Sequence, residues 1–224
     1  MKNIVIASPH SLHDQLEIEL GVTFTVTRIK SREALTAEYL KALNPSYVFF
    51  PHWSWIIPDE ILTDFQCVIF HMTDLPYGRG GSPLQNLIVR GKKATVISAI
   101  KCVKELDAGP IYLKMPLTLD GTAKEILDRA STVIQQMIFK IVEGCGELKD
   151  QLGDVVSFKR RVSDDGDLSY LETTNQIYDY IRMLDADNYP CAFIEIDNFR
   201  LEFTSAKHVG ETVEAVVKFH RRDK

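Results

Sequence analysis

Short continuous apolar runs alternate along this chain with segments in which apolar residues recur every three or four positions, the signatures of buried strands and amphipathic helices. Residues 3–7, 46–50 and 67–71 are unbroken runs of the kind central parallel strands show, because both of their faces are buried. Residues 22–28 alternate and predict another strand, and residues 95–104 and 111–116 supply two more. Leu12, Leu16 and Leu20 mark a helix over 11–20. Ser31 is placed to cap a further helix whose Leu35, Tyr39, Leu40 and Leu43 form one face, with Asn44-Pro45 ending it. Pro58 starts a short helix over 59–64, and Ser82-Pro83 has the N-cap and first-turn grammar of another. The longest helix follows Gly121-Thr122 and runs to about Val142, with Ile126, Ala130, Val133, Met137 and Ile141 as its core stripe.

This alternation predicts an α/β fold, an open and mostly parallel sheet with helices on both faces. Ligands of such sheets bind beyond the carboxyl ends of the strands, and His52, His71 and Asp107 fall at those ends or in the adjoining loops. The composition changes after Gly144. Residues 146–153 read as a polar linker and 164–167 as an acidic turn; Thr174 is placed to cap a helix with Ile177, Ile181 and Leu184 inward. Strand signals follow at 192–196, 200–205 and 212–220. The expected organisation is therefore a domain over 1–145 and a linker, helix and small β-rich appendage over 146–224.

Composition narrows the function classes. With 224 residues, 45% apolar and 25% charged, the chain has the balance of an ordinary globular protein. A net charge of -5 argues against a nucleic-acid partner, and the closing Arg221-Arg222-Asp223-Lys224 reads as a solvated tail. Cys67, Cys102, Cys145 and Cys191 are widely spaced, with no Cys-x-x-Cys, and are expected to be reduced thiols of a cytoplasmic protein. No run approaches the roughly 18 apolar residues of a membrane span, and the first residues read as a strand and not a targeting segment. The segment after the first strand, Ser8-Pro9-His10, lacks a Gly-x-Gly-x-x-Gly fingerprint. His10 and His13 have the spacing of two metal ligands, but without carboxylates or cysteines beside them they are taken as surface polarity, and no metal is expected.

Candidate chemistry concentrates between Val68 and Tyr112. The run 67–70 delivers His71 to a strand end, and a turn-rich segment with Pro76, Gly78, Gly80 and Gly81 follows. Leu106-Asp107-Ala108-Gly109-Pro110 forms a tight turn between two strand-like runs. A histidine and a carboxylate at the ends of neighbouring strands make a candidate proton-handling pair.

In order and spacing these blocks resemble the folate-dependent formyltransferases, whose pattern is Asn-x-His, Ser-Leu-Leu-Pro, a basic-Gly-Ala-x-Pro segment and Asp-x-Gly. His71 matches the histidine, Thr73-Asp74-Leu75-Pro76 the second block, Arg79-Gly80-Gly81-Ser82-Pro83 the third, and Asp107-Ala108-Gly109 the last. Lys159-Arg160-Arg161 onward to Asp167, 177–184 and 190–193 resemble the linker after that family's transferase domain, so the likeness covers roughly residues 1–195. It implies a formyltransferase-type, Rossmann-like domain that moves a formyl group from 10-formyltetrahydrofolate to an amine. By the same resemblance His71 and Asp107 are catalytic, and Thr73, Asp74, Leu75 and Pro76 join Asp107 in binding the folate. His52, Trp53, Arg79, Gly80, Gly81 and Ser82 are the expected substrate contacts. Arg79 either meets an anionic substrate or solvates its loop, and Trp53 and Trp55 either stack on a ring or pack. One position departs from the pattern: Ile69 stands where the family has asparagine. Protonated His71, the Thr73 hydroxyl or loop backbone N–H groups are then the candidate oxyanion donors.

The short, slightly acidic tail and the aromatic loop at 50–58 look most like the sugar N-formyltransferases of pseudaminic-acid-type pathways. The expected acceptor is a nucleotide-linked amino sugar, a UDP-4-amino-4,6-dideoxy sugar, with no nucleic acid and no membrane as partner. The C-terminal strands would contact substrate or pair with a second copy as a homodimer. Methionyl-tRNA or a carrier-bound aminoacyl group is the alternative acceptor, and a non-catalytic folate or sugar-nucleotide binder the alternative class.

Overall fold

A computed structural model describes residues 1–144 and 147–222. Cys145, Gly146, Asp223 and Lys224 lie outside the described residues, and with them fall the expected 145/146 boundary and the end of the basic tail. In chain order come β1 (Asn3–Ala7), α1 (Asp14–Gly21), β2 (Thr25–Ile29), α2 (Ala37–Leu43), β3 (Tyr47–Phe50) and α3 (Asp59–Asp64). Then follow β4 (Cys67–His71), β5 (Tyr77–Gly80), α4 (Pro83–Ile88), β6 (Ala94–Lys101), β7 (Ile111–Thr118) and α5 (Ala123–Val142). The last elements are β8 (Val156–Phe158), α6 (Thr174–Arg182), β9 (Ala192–Ile196), β10 (Phe199–Val209) and β11 (Thr212–Arg221).

The chain forms two compact units, the first made of Met1–Gly80, Thr95–Leu117 and Asp128–Ser157 and the second of Gly81–Ala94, Thr118–Leu127 and Phe158–Lys224. A six-stranded sheet in the order β2-β1-β3-β4-β6-β7 dominates the first. The pairs β1–β2, β1–β3 and β3–β4 are parallel and β4–β6 is antiparallel, so the sheet is mostly parallel as expected. Central β1 explains its apolar run: Val5 and Ala7 join Val48, Phe50, Leu40 of α2 and Ile61 of α3 in one cluster. Ile4, Ile6 and Phe49 point to the other face by strand alternation and are as deeply buried.

Two serines expected to cap helices do not cap them. Ser31 Oγ accepts from Ala34 N–H and caps a turn, and α2 begins only after Thr36, whose hydroxyl accepts from Tyr39 N–H at 3.2 Å. Leu35, just before that cap, and Leu40, in the first turns, share the same core cluster, a hydrophobic staple that fixes the later entry. Ser82 precedes α4 but has left-handed backbone (φ 50°, ψ 51°) and caps nothing; its Oγ accepts from Arg161 N–H at 3.1 Å. β5 lies in the turn-rich segment after His71 and β8 just past the polar linker, and the sequence pattern predicts neither as a strand.

In the second unit the helix expected after Thr174 is capped one residue earlier, by Thr173 and Gln176 in a reciprocal capping box. The strands β11-β10-β9 form an antiparallel sheet, longer than the signals at 200–205 and 212–220 suggested. Arg182, at the end of α6 and 3% exposed, is a buried cation. Its Nε donates to Asp179 Oδ1 at 2.6 Å and its Nη1 to the carbonyls of Leu119 at 2.6 Å and Gly121 at 2.8 Å. Among the described residues no helix is long and apolar enough to cross a membrane.

Removing Arg182 strands a partly buried carboxylate and two carbonyls at once. Arg182→Ala is expected to lower unfolding stability by about 3 kcal/mol or more, seen as a lower urea midpoint with an unchanged denaturant slope; a midpoint equal to wild type would refute the buried-cation account.

Candidate functional site

His71 closes β4, and its ring is held from both sides by the first unit's own backbone and side chains. Nε2 lies 2.7 Å from the carbonyl oxygen of Gly78. A carbonyl only accepts, so Nε2 carries the proton and donates it to Gly78, leaving Nδ1 as the position at which a proton is taken up or released. Nδ1 faces Asp107 Oδ2 at 3.6 Å, beyond hydrogen-bond length. The two residues are only 7% and 8% exposed, so the pair is screened from bulk solvent.

Asp107 sits in a turn that few residues tolerate. Its own φ is +52°, and a Cβ on Gly109 would come within 1.7 Å of the Lys101 carbonyl oxygen, so only glycine fits there. The carboxylate is tied down by Gly80 N–H, which donates to Oδ2 at 2.9 Å. Gly78 and Gly80 therefore grip the histidine and the aspartate respectively, with Arg79 between them. Arg79 neither solvates its loop nor projects free: Nε and Nη2 donate to Gln151 Oε1, and Nη1 to Glu105, an exposed partner.

The expected folate-binding stretch continues from the same strand. Thr73 is fully buried; its carbonyl accepts from Ser98 Oγ at 2.7 Å, and its hydroxyl makes a long 3.5 Å contact to Gly78 O. Asp74 pairs with Lys114 Nζ, which also donates to the Leu75 carbonyl at 2.7 Å, and the Leu75–Pro76 peptide is cis. Ile69 packs against the cluster that contains Phe50, Trp53 and Cys102. The position where the resemblance implies an amide is therefore part of the apolar core.

His52 and Trp53 follow β3 and join a different cluster of the first unit. His52, at φ +54°, places Nδ1 2.8 Å from His13 Nε2, and His13 Nδ1 lies 3.0 Å from Ser131 Oγ of α5. One proton fits between the two rings, so they cannot both be charged while the bond is made. His10 meets the His52 ring edge-on, with centroids 6.2 Å apart. Burial, with neighbouring positive charge as a lesser cause, pushes His13 down to about 2 and His52 down to about 4, and lowers His10 as well. The reading of His13 as surface polarity is thus corrected: it is 0% exposed. Arg28 delivers it there, donating to the carbonyls of Ser8, His10 and His13 at 2.8–2.9 Å. Trp53 packs edge-on against Phe50 and Trp55.

Of the expected site residues, the first unit therefore brings together His71, Asp107, Arg79, Gly80 and Thr73, while His52 pairs with His13 and Trp53 packs into the apolar cluster. Gly81 and Ser82 belong to the second unit. There a Cβ on Gly81 would lie 2.5 Å from Arg160 Cβ, and Gly81 N–H donates to the Phe158 carbonyl at 3.2 Å. Sequence reasoning missed Gln151, which lies in a stretch without periodicity, and missed Gly78 as an acceptor, because a main-chain contact leaves no residue-type signal. His13 and His52 were both noticed, but not their pairing across 39 positions.

The chain matches the Formyl transferase family over residues 9–142 and the Methionyl-tRNA formyltransferase, C-terminal domain family over residues 163–220. The solved structure of a methionyl-tRNA formyltransferase from Clostridium thermocellum is 44% identical, covering 99% of this chain and 100% of that one with a TM-score of 0.94. The methionyl-tRNA formyltransferase of Thermodesulfovibrio yellowstonii is 26% identical over 171 residues, which are 73% of this chain and 55% of that one. The chain spans about half the length of the curated relatives it matches. Formyltransferase PseJ from Anoxybacillus kamchatkensis, solved with UDP-4,6-dideoxy-4-formamido-L-AltNAc and tetrahydrofolate, is 18% identical, with a TM-score of 0.54 over 70% of this chain and 85% of that one; this is a likeness of fold alone.

These findings correct two expectations. The amino-sugar acceptor is displaced, since the full-length 44% match and the C-terminal match are both to methionyl-tRNA formyltransferases. The exclusion of a nucleic-acid partner falls with it. Net charge is a sum over the chain, whereas contact with phosphates depends on where individual cations lie.

The buried histidines make acid lability a specific expectation. Their folded-state pKa values lie below the unfolded 6.5, so the unfolded chain binds protons that the native state refuses. Stability is full above pH 6.5 and falls as pH drops toward 4. The loss due to His52 is about 3 kcal/mol at roughly 1.4 kcal/mol per unit. Urea unfolding of wild type and His52→Gln across this window should give curves that converge toward acid pH; parallel curves would refute the neutral pair.

Proposed function

The chain belongs to the formyl transferase family, and from that premise we propose that it transfers the formyl group of 10-formyltetrahydrofolate to the α-amino group of methionyl-tRNA in the cytoplasm. The observation that carries the acceptor is the 44% identity to the Clostridium thermocellum methionyl-tRNA formyltransferase over essentially the whole of both chains. The match at 163–220 to that enzyme's C-terminal domain family supports it from a separate stretch.

The reaction forms a bond from the amine nitrogen to the formyl carbon and breaks the bond from that carbon to folate N10. One proton leaves the amine and one arrives on N10, so the transfer is proton-neutral but needs a group that can hold a proton in between. His71 supplies it at Nδ1, because Nε2 is committed to Gly78. Asp107, held by Gly80 N–H, faces that nitrogen and steadies the ring whenever it is charged. Near-enclosure of the pair keeps bulk water from competing for the formyl carbon and strengthens the local electrostatics. A proton-holding imidazole beside a fixed, buried carboxylate is a donor set that fits a reaction centred on an amine and a folate nitrogen.

Formylation of methionyl-tRNA by 10-formyltetrahydrofolate, followed by mass analysis of the released aminoacyl group, tests this directly. Wild type is expected to add one formyl group, and His71→Ala to reduce kcat by about 100-fold or more. Binding of methionyl-tRNA should weaken steeply with added salt. Bound folate without any transfer to methionyl-tRNA would overturn the acceptor, and a fully active His71→Ala would overturn the mechanism.

A further inference from the structure

Four hydrogen bonds converge on one side-chain amide beside the His71–Asp107 pair. Gln151 Oε1 accepts from Arg79 Nε at 3.1 Å and Arg79 Nη2 at 2.8 Å. Gln151 Nε2 donates to the carbonyls of Asp107 at 2.7 Å and Gly109 at 2.9 Å. A guanidinium only donates and a carbonyl only accepts, so these partners dictate which way the amide points, and both of its N–H groups and both oxygen lone pairs are used. What it joins is specific. Arg79 lies between Gly78, which accepts from His71, and Gly80, which donates to Asp107. The two carbonyls belong to the tight turn that carries the Asp107 side chain.

We propose that Gln151 is a positioning residue for formyl transfer: it clamps the 107–109 turn to β5 and thereby sets the 3.6 Å separation of His71 Nδ1 and Asp107 Oδ2. The proposal rests on the formyl-transfer reading above. Without the amide, the Gly80–Asp107 bond is left to hold β5 to the 107–109 turn, helped only by the exposed Arg79–Glu105 ion pair, and so little restraint leaves the turn free to pivot. Catalytic groups that drift by about 1 Å lose on the order of 100-fold in rate.

Two substitutions separate positioning from bulk. Gln151→Met keeps the length and packing of the side chain and removes all four bonds. Gln151→Glu keeps an acceptor for Arg79 but sets a carboxylate oxygen against the two carbonyls. Both variants are expected to lose about tenfold or more in kcat while KM for methionyl-tRNA stays within about twofold. In both, the NMR titration midpoint of the His71 ring should move away from its wild-type value, while the thermal midpoint stays close to wild type. Wild-type kcat or an unmoved His71 midpoint in Gln151→Met overturns the proposal. Wild-type behaviour of Gln151→Glu also overturns it, because the amide would then serve Arg79 alone. The His71 titration needs no acceptor. It therefore decides the role of Gln151 even if wild type formylates nothing, the result that would sink the functional reading instead.

Discussion

The candidate site depends on three residues of main chain, Gly78-Arg79-Gly80. Gly78 accepts from His71 and Gly80 donates to Asp107, so the two candidate side chains are bound to one short strand and not to each other. The distance between them is thereby set largely by the covalent geometry of β5, which cannot stretch, and less by mutual attraction, which varies with protonation. Both glycines have left-handed backbone, φ +79° and +107°, where other residues are strained. A chain that must aim a carbonyl one way and an amide the other within three residues needs that freedom.

A similar device recurs where loops leave regular structure. Carbonyls at strand and helix ends lack ladder partners, and a buried one needs a donor from elsewhere. In the first unit Arg28 serves three of them in the 8–13 segment; in the second Arg182 serves two and pairs with Asp179. A guanidinium suits this task because its donors form a fixed fork, where an ammonium would offer one point of attachment. The buried histidines follow from the Arg28 clamp. Once residues 8–13 are held down, His13 has Ser131 on one side and His52 on the other, and desolvation keeps the rings neutral.

Much of this fold was legible because burial on both faces leaves a continuous apolar run, as at residues 3–7 and 67–71, and because helix stripes repeat every turn. The pair His71 and Asp107 was legible for a different reason, the ordered blocks around them. What stayed hidden were interactions without a residue-type signature. Gly78 and Gly80 act through backbone groups, and β5 pairs within a segment whose glycines and proline read as turn. Ser31 and Ser82 have the right chemistry for caps, but a hydroxyl can satisfy a turn or a distant amide just as well, and tertiary packing by Leu35 or a bond to Arg161 N–H decided each case. Gln151 is a polar residue in a polar stretch, and nothing local marks it.

Ile69 narrows how an oxyanion would be stabilised during formyl transfer. Its side chain packs against the apolar cluster and is a hydrocarbon, so no amide is available from that strand position. The Gly80 amide is spent on Asp107, which removes one loop N–H from contention. Thr73 retains its hydroxyl proton in only a long 3.5 Å contact, to an oxygen already receiving the His71 proton at 2.7 Å. That proton is weakly committed and can turn toward a stronger acceptor at small cost. His71 offers one more, at Nδ1, but a proton pledged to folate N10 leaves as the tetrahedral species collapses. The hydroxyl keeps its proton, so under the proposed mechanism Thr73 is the donor that does not compete with the proton transfer.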